Sequence, residues 1–95
     1  MVILEEMMLD GNKGMAFFCP GCRNYHAFII EQHSGGPLWT WNGSMDKPTF
    51  SPSLLVSGSD SSRRCHCYVN NGQIQYLSDC WHKLAGQTVD MVSVE

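Results

Sequence analysis

The sequence predicts a mostly β chain: a small, zinc-ribbon-like antiparallel β domain with at most one or two short helical turns. Three observations predict it. Apolar and polar residues alternate in short runs, the period of a half-buried strand. Turn residues close those runs at Asp10-Gly11-Asn12-Lys13-Gly14, Ser34-Gly35-Gly36-Pro37, Asn42-Gly43 and Asn71-Gly72. No stretch carries the spacing of a long amphipathic helix. The 95 residues contain no linker, repeat or low-complexity segment, so residues 1–95 read as one domain.

Taken in order, Val2–Leu9 is the first expected strand, and Met15–Phe18 returns antiparallel to it across the Asp10–Gly14 turn. Tyr25–Glu31 is a third run, and Leu38–Trp41 a fourth that ends at Asn42-Gly43. Pro48 and Pro52 flank Thr49-Phe50-Ser51 and keep that segment extended, because each proline lacks an N–H. Ser53–Val56 reads as an edge strand, and Ser57–Ser62 as the most loop-like stretch. Asn71-Gly72 suits a type I′ hairpin turn and fixes a register. Asn70 then faces Gln73, Val69 faces Ile74, Cys67 faces Tyr76 and Cys65 faces Ser78. This register puts Cys65, Cys67, Val69, Ile74 and Tyr76 on the inward face, with His66, Tyr68, Gln73 and Gln75 outward. A helical turn from Cys80 to about Ala85, ended by Gly86, precedes a closing strand over Thr88–Val94.

Composition narrows the function classes. Six Lys and Arg against nine Asp and Glu give a net charge of −3, which argues against a sequence-independent grip on nucleic acid. No apolar run approaches the roughly 18 residues of a membrane span, and Glu5 and Glu6 interrupt the opening segment where a signal peptide is apolar. The expectation is a soluble, cytoplasmic protein. A domain of this size buries only about 60–65% of its unfolded surface, so its core needs reinforcement. In a reducing compartment, five clustered cysteines point to metal before disulfides.

Cys19-Pro20-Gly21-Cys22 is a knuckle whose tight turn brings two sulfurs to one ion, half of a tetrahedral Zn²⁺ site. The other half is expected from the distant hairpin. Register favours Cys65, and Cys80 follows the partner strand at the start of a helical turn that stabilises thiolates. The expected ligand set is Cys19, Cys22, Cys65 and Cys80, with His66, Cys67, His82 and His26 as substitutes. A thioredoxin-type redox pair opens a long helix, whereas Cys22 is followed by Arg23-Asn24 and a strand. If zinc instead keeps a water, His66, Asp79 and His82 are the candidate catalytic groups. Neither the H-E-x-x-H protease template nor the H-x-E with P-C-x-x-C deaminase template is present. Trp39 and Trp41 share a strand face and read as one wall of the core. Arg63-Arg64 is a short basic patch beside Cys65.

With the motifs in view, the chain resembles a family of small, uncharacterised phage and prophage zinc-binding proteins. Those motifs are Cys19–Cys22 with His26, Trp41–Ser44 (WNGS), Lys47–Leu54 (KPTFSPSL), Cys65-His66 and Asp79–Val89 (DCWHKLAGQTV). The resemblance spans about residues 17 to 90. Automated labels for relatives sometimes read "ammonia monooxygenase", which nothing in this composition supports. The resemblance implies a zinc-binding domain of bacteriophage or prophage origin. It matches Cys19, Cys22, Cys65, His66, Cys80 and His82, and gives His66 more weight than register does. Cys67 stands where that family has Ser, which counts against it as a ligand.

The leading expectation is a zinc-stabilised, non-enzymatic accessory protein in a bacterial host. It would act through protein contacts, and modulation of a host or anti-phage system is one form of that host–virus interaction. The competing expectation is a small zinc-dependent hydrolase using His66, Asp79 and His82. A nucleic-acid-binding zinc knuckle with Arg23, Arg63, Arg64 and the tryptophans ranks third. A homodimer is compatible with the free β edges, and no membrane role is expected.

Overall fold

Asp10 and Gly11 both adopt positive φ (52° and 80°), the turn geometry their residue types favour, and reverse the chain between its first two strands. Those strands belong to a computed structural model that describes residues 3–32, 36–56 and 63–93. Strand β1 (Glu5–Leu9) pairs antiparallel with β2 (Asn12–Cys19), and β2 pairs with β3 (Asn24–Glu31). These three form one sheet. The second sheet has the order β4-β5-β6-β7-β8, from Thr40–Trp41, Phe50–Val56, Cys65–Asn70, Gln73–Tyr76 and Thr88–Asp90. The described chain is nearly all β, in two antiparallel sheets.

The β6–β7 hairpin follows the register that Asn71-Gly72 predicts. Asn70 pairs Gln73, Val69 pairs Ile74 and Cys67 pairs Tyr76, and both turn residues have positive φ (51° and 80°). Cys65, Cys67, Val69, Ile74 and Tyr76 are buried, while Tyr68, Gln73 and Gln75 are exposed and His66 is half-buried. Pleat alone sorts them. Tyr76 N–H donates to Gln87 O and Ala85 N–H to His82 O, so the segment after β7 folds as consecutive turns where a helical turn was expected. Gly86 (φ 78°) lies at their end. The expected loop at Ser57–Ser62 lies outside the described residues, as do Val2, Val94 and, in the expected turn at Ser34–Pro37, Ser34 and Gly35.

The core lies between the sheets. Phe28 of β3 stacks on Phe50 of β5 at 4.1 Å between ring centroids, and Phe17 stacks on Phe28 at 5.7 Å. Trp39 meets Phe28 edge-on at 5.6 Å and Trp41 lies over Phe50 at 6.3 Å, the core wall expected of that pair. A fully buried aromatic of this kind contributes about 1.5–3 kcal/mol from transfer alone.

Strand β5 carries the irregularity that matters for the site. Phe50 pairs Val69 and Leu54 pairs Cys67, so four steps along β5 match two along β6. This bulge falls at Ser51-Pro52-Ser53. Bulges release a strand from strict pairing and re-aim a side chain.

Candidate functional site

The Cys19–Cys22 knuckle closes the end of β2. Arg23 N–H donates to Cys19 O at 2.7 Å with Arg23 in the left-handed region (φ 58°), and Cys22 N–H donates to Cys19 Sγ at 3.3 Å. Opposite it stand Cys65, at the start of β6, and His82. The ligand atoms of Cys19, Cys22, Cys65 and His82 all lie within 4.8 Å of one another. His82 Nε2 is 3.6 Å from Cys65 Sγ, and Leu84 N–H reaches the other ring nitrogen at 3.3 Å. A Cβ on Gly21 would overlap the His82 ring, so the residue between the cysteines must be glycine for the imidazole to approach. Three thiols and one imidazole, all but Cys22 buried, suit a tetrahedral thiophilic cation.

The electrostatics of the cluster point the same way. The Cys65 thiol, hydrogen-bonding to Cys19, holds the Cys19 thiol down to about 3, with His26, the Tyr76 hydroxyl and the Cys22 amide adding to it against burial. Tyr76 Oη is 3.0 Å from Cys19 Sγ. Cys65, as the partner, is pushed up, first by Cys19, then by Cys67 and burial. Burial also pushes Cys22 up, opposed by Trp81, whose Nε1–H donates to its sulfur at 3.4 Å. One thiolate is already favoured.

The other nominated ligands stand next to this group of four without belonging to it: Cys67 and Cys80 adjoin Cys65, and His26 adjoins Cys19. Cys80 is outside this group of four; its thiol donates to His66 O at 3.1 Å and accepts from His66 N–H at 3.2 Å. Burial pushes the Cys80 thiol up, which favours the protonated form that can donate. Register fixes the distance of Cys80 from the hairpin, and the turn that follows brings His82 into the group of four as well as leaving Cys80 buried beside it. Cys67 is buried on the same face of β6 and also lies outside the four. His26 sits on β3 edge-on to Phe17, and its ring is one of the groups that hold the Cys19 thiol down.

His66 does something different. It occupies the outward face of β6, one residue from Cys65, and its ring joins two partners. Nε2 is 3.3 Å from Ser53 Oγ, and Nδ1 is 3.3 Å from Asp79 Oδ2. Asp79, in the turn after β7, also meets Arg64 at 3.6 Å. A hydroxyl, an imidazole and a carboxylate in series are the constellation of acyl-transfer hydrolases. Separations slightly beyond 3.2 Å are ordinary where no substrate is bound.

Sequence reading nominated His66 and Asp79 but not Ser53. No G-x-S-x-G elbow marks it. The usable signal was parity: Leu54 faces the core, so Ser53 must face out, on the strand beside His66. Only the β5–β6 pairing brings the two together.

A pocket of about 620 Å³ lies beside the cluster, lined by Pro20, Gly21, Cys22, Arg23, Trp81 and His82 among others. Arg63 stacks over the Trp81 ring at 5.2 Å. A shallower one of about 340 Å³ lies across β5, β6 and β7, between Thr49, Ser51, Tyr68, Asn70 and Gln75. Among the described residues no helix is long and apolar enough to cross a membrane.

No curated protein and no solved structure matches the chain. One family model, described as "bacterial ubiquitination-like system serine protease (BubE)", matches residues 2–77. That span takes in Cys19, Cys22, Ser53, Cys65 and His66 and ends just before Asp79 and His82. With four-fifths of its length matched, the chain belongs to the BubE family.

Proposed function

We propose that this protein is a serine protease in which Ser53 is the nucleophile, His66 the general base and Asp79 the group that orients His66. The single observation that carries the reading is the Ser53–His66–Asp79 chain of contacts, 3.3 Å at each step. The family description, a serine protease of a bacterial ubiquitination-like system, supports the same reading. In such systems a small modifier is joined to its targets through its C-terminal tail. The substrate class is therefore the acyl bond at that tail, and the partners are the other proteins of the system. A role in host–virus conflict, and the phage or prophage origin implied by the resemblance, belong with this reading.

The chemistry follows from the geometry. Ser53 Oγ attacks the carbonyl carbon and its proton passes to His66 Nε2. Asp79 accepts from Nδ1–H, holding the ring in the tautomer that leaves Nε2 free and stabilising the imidazolium. His66 then returns the proton to the leaving group as the C–N or C–O bond breaks. Water, deprotonated by the same nitrogen, cleaves the resulting acyl-Ser53 ester and regenerates the hydroxyl.

Zinc is the cation we assign to Cys19, Cys22, Cys65 and His82. A Cys₃His zinc site supplies folding energy. Bound there, it would tie β2 to the start of β6 and to the turn after β7, and so hold both strand neighbours of the triad in place. We assign residues 1–95 to one domain on this basis, since ligands from both sheets converge on one ion. The pocket beside Cys22 and His82 favours a second reading, a zinc hydrolase working at an open metal position. Against it, His66 meets Ser53 and Asp79, and neither His66 nor Asp79 belongs to the cluster.

The test is labelling with a fluorophosphonate, followed by peptide mass mapping. Adduct on Ser53 that is lost in His66→Ala supports the triad. Hydrolysis of a modifier-tail substrate that survives Ser53→Ala and disappears on chelation would replace it with the zinc reading.

A further inference from the structure

Hydrogen-bond parity along β5 leaves one stretch of main chain unsatisfied beside the nucleophile. His66 spends its backbone groups on the β7 side: its carbonyl accepts from Leu77 N–H at 2.9 Å, and both groups meet Cys80 Sγ. Backbone direction alternates along a strand, so Cys65 and Cys67 bond toward β5, to their partners Val56 and Leu54. The residues between, Ser53 and Leu55, then point their N–H and C=O away from β6. The other side agrees. Thr49 O accepts from Asn42 N–H at 3.1 Å and Ser53 O accepts from Trp39 Nε1–H at 3.2 Å, so odd-numbered residues of β5 face β4. Yet β4 pairs only with Phe50 and Ser51. Beyond it, among the described residues, no strand pairs with Leu55 on that side. Leu55 is 54% exposed, and Leu38, the chain neighbour of Trp39, is 52% exposed.

We infer that this open edge of β5, at Leu55, is the substrate's main-chain binding site: an extended peptide adds to it as a strand and so delivers its carbonyl to Ser53. The inference rests on the triad reading and names how that site holds its substrate. The open edge is two residues from the nucleophile, and Leu55 N–H and C=O, without a strand partner on that side among the described residues, suit a complementary main chain. The occupant is the acyl-side tail of the substrate, about three residues in extended form. That side stays attached to Ser53 in the acyl-enzyme, so its contacts assist both chemical steps. β4 closes the edge at its Ser51 end. Exposed Leu55 and Leu38 favour small or apolar side chains in the tail.

Two probes separate this inference from the triad beneath it. A peptide-free fluorophosphonate reads the triad, and a tripeptidyl aryl phosphonate reads the edge as well. Leu55→Pro deletes the outward N–H while Leu54 keeps its bonds to Cys67. The tripeptidyl probe should label Ser53 at least tenfold faster than the peptide-free one. Leu55→Pro should erase that advantage, read as the ratio of tripeptidyl to peptide-free labelling in the same variant, whereas Leu55→Ala keeps most of it. Should Leu55→Pro not fold, N-methylation of single amides in the probe decides on the wild-type chain. One amide whose methylation costs tenfold, flanked by tolerant neighbours, sustains the added strand. No tripeptide advantage, an advantage that survives Leu55→Pro, or uniform tolerance of N-methylation overturns it. Absence of any Ser53 labelling by either probe overturns the triad reading, and this inference with it.

Discussion

Cys65 and His66 are neighbours in sequence and opposite in role. Cys65 turns inward and joins Cys19, Cys22 and His82 in a buried cluster; His66 turns outward and joins Ser53 and Asp79 at the surface. The same division recurs after β7, where Asp79 faces the triad, Cys80 clamps the His66 backbone and His82 closes the cluster. The alternating pleat lets one strand end serve both. In the proposed reading, a thiol desolvated to suit a soft cation and an imidazole open to substrate are placed about 3.8 Å apart along the chain, on opposite faces. It follows that changes on one side should strike activity, and changes on the other stability.

The largest effect should separate the two faces most sharply. Ser53→Ala should lower kcat by about 10³-fold or more while leaving the unfolding midpoint in place, since the residue is half-buried on the outer face. Steady-state kinetics beside a thermal melt checks it. A large fall in Tm would break the division. Next, Cys19→Ser or Cys65→Ser should destabilise by about 3–5 kcal/mol and lose bound metal, read by denaturant titration and metal analysis. Strong chelation of the wild type should do the same. Retention of metal and stability would remove the cluster from the folding ledger.

Gly21→Ala tests the fit of the knuckle. Its Cβ meets the His82 ring, and overpacking of this kind costs about 1–3 kcal/mol. Metal affinity should fall with it, measured by competition with a chromogenic chelator. Cys80→Ala is the smallest and sharpest case. It removes two contacts to the His66 backbone but no member of the cluster. We expect a loss of about 1 kcal/mol, metal content unchanged, and a several-fold loss of kcat through the imidazole's position. Loss of metal in this variant would return Cys80 to the ligand set.

Much of the scaffold was legible in the chain. Asn71-Gly72 fixed the hairpin register because only residues tolerant of positive φ close a two-residue turn, and that register sorted Cys65 inward and His66 outward. The Cys19–Cys22 knuckle was legible for the same local reason. His82 was harder. Choosing it over Cys80 depends on turns stabilised by Ala85 N–H to His82 O and Gln87 N–H to Leu84 O, whose direction no periodicity encodes.

Ser53 was beyond local reading. Its partner His66 lies 13 residues away and Asp79 a further 13, and no turn or motif between them sets their separation. Local rules determine which residues share a face, because backbone sterics and period-two alternation act over a few residues. They do not determine which strand lies beside which, or where a bulge shifts the pairing. Those choices are made by the burial of Phe28 against Phe50 and by the convergence of distant thiols, interactions that exist only once the two sheets have met.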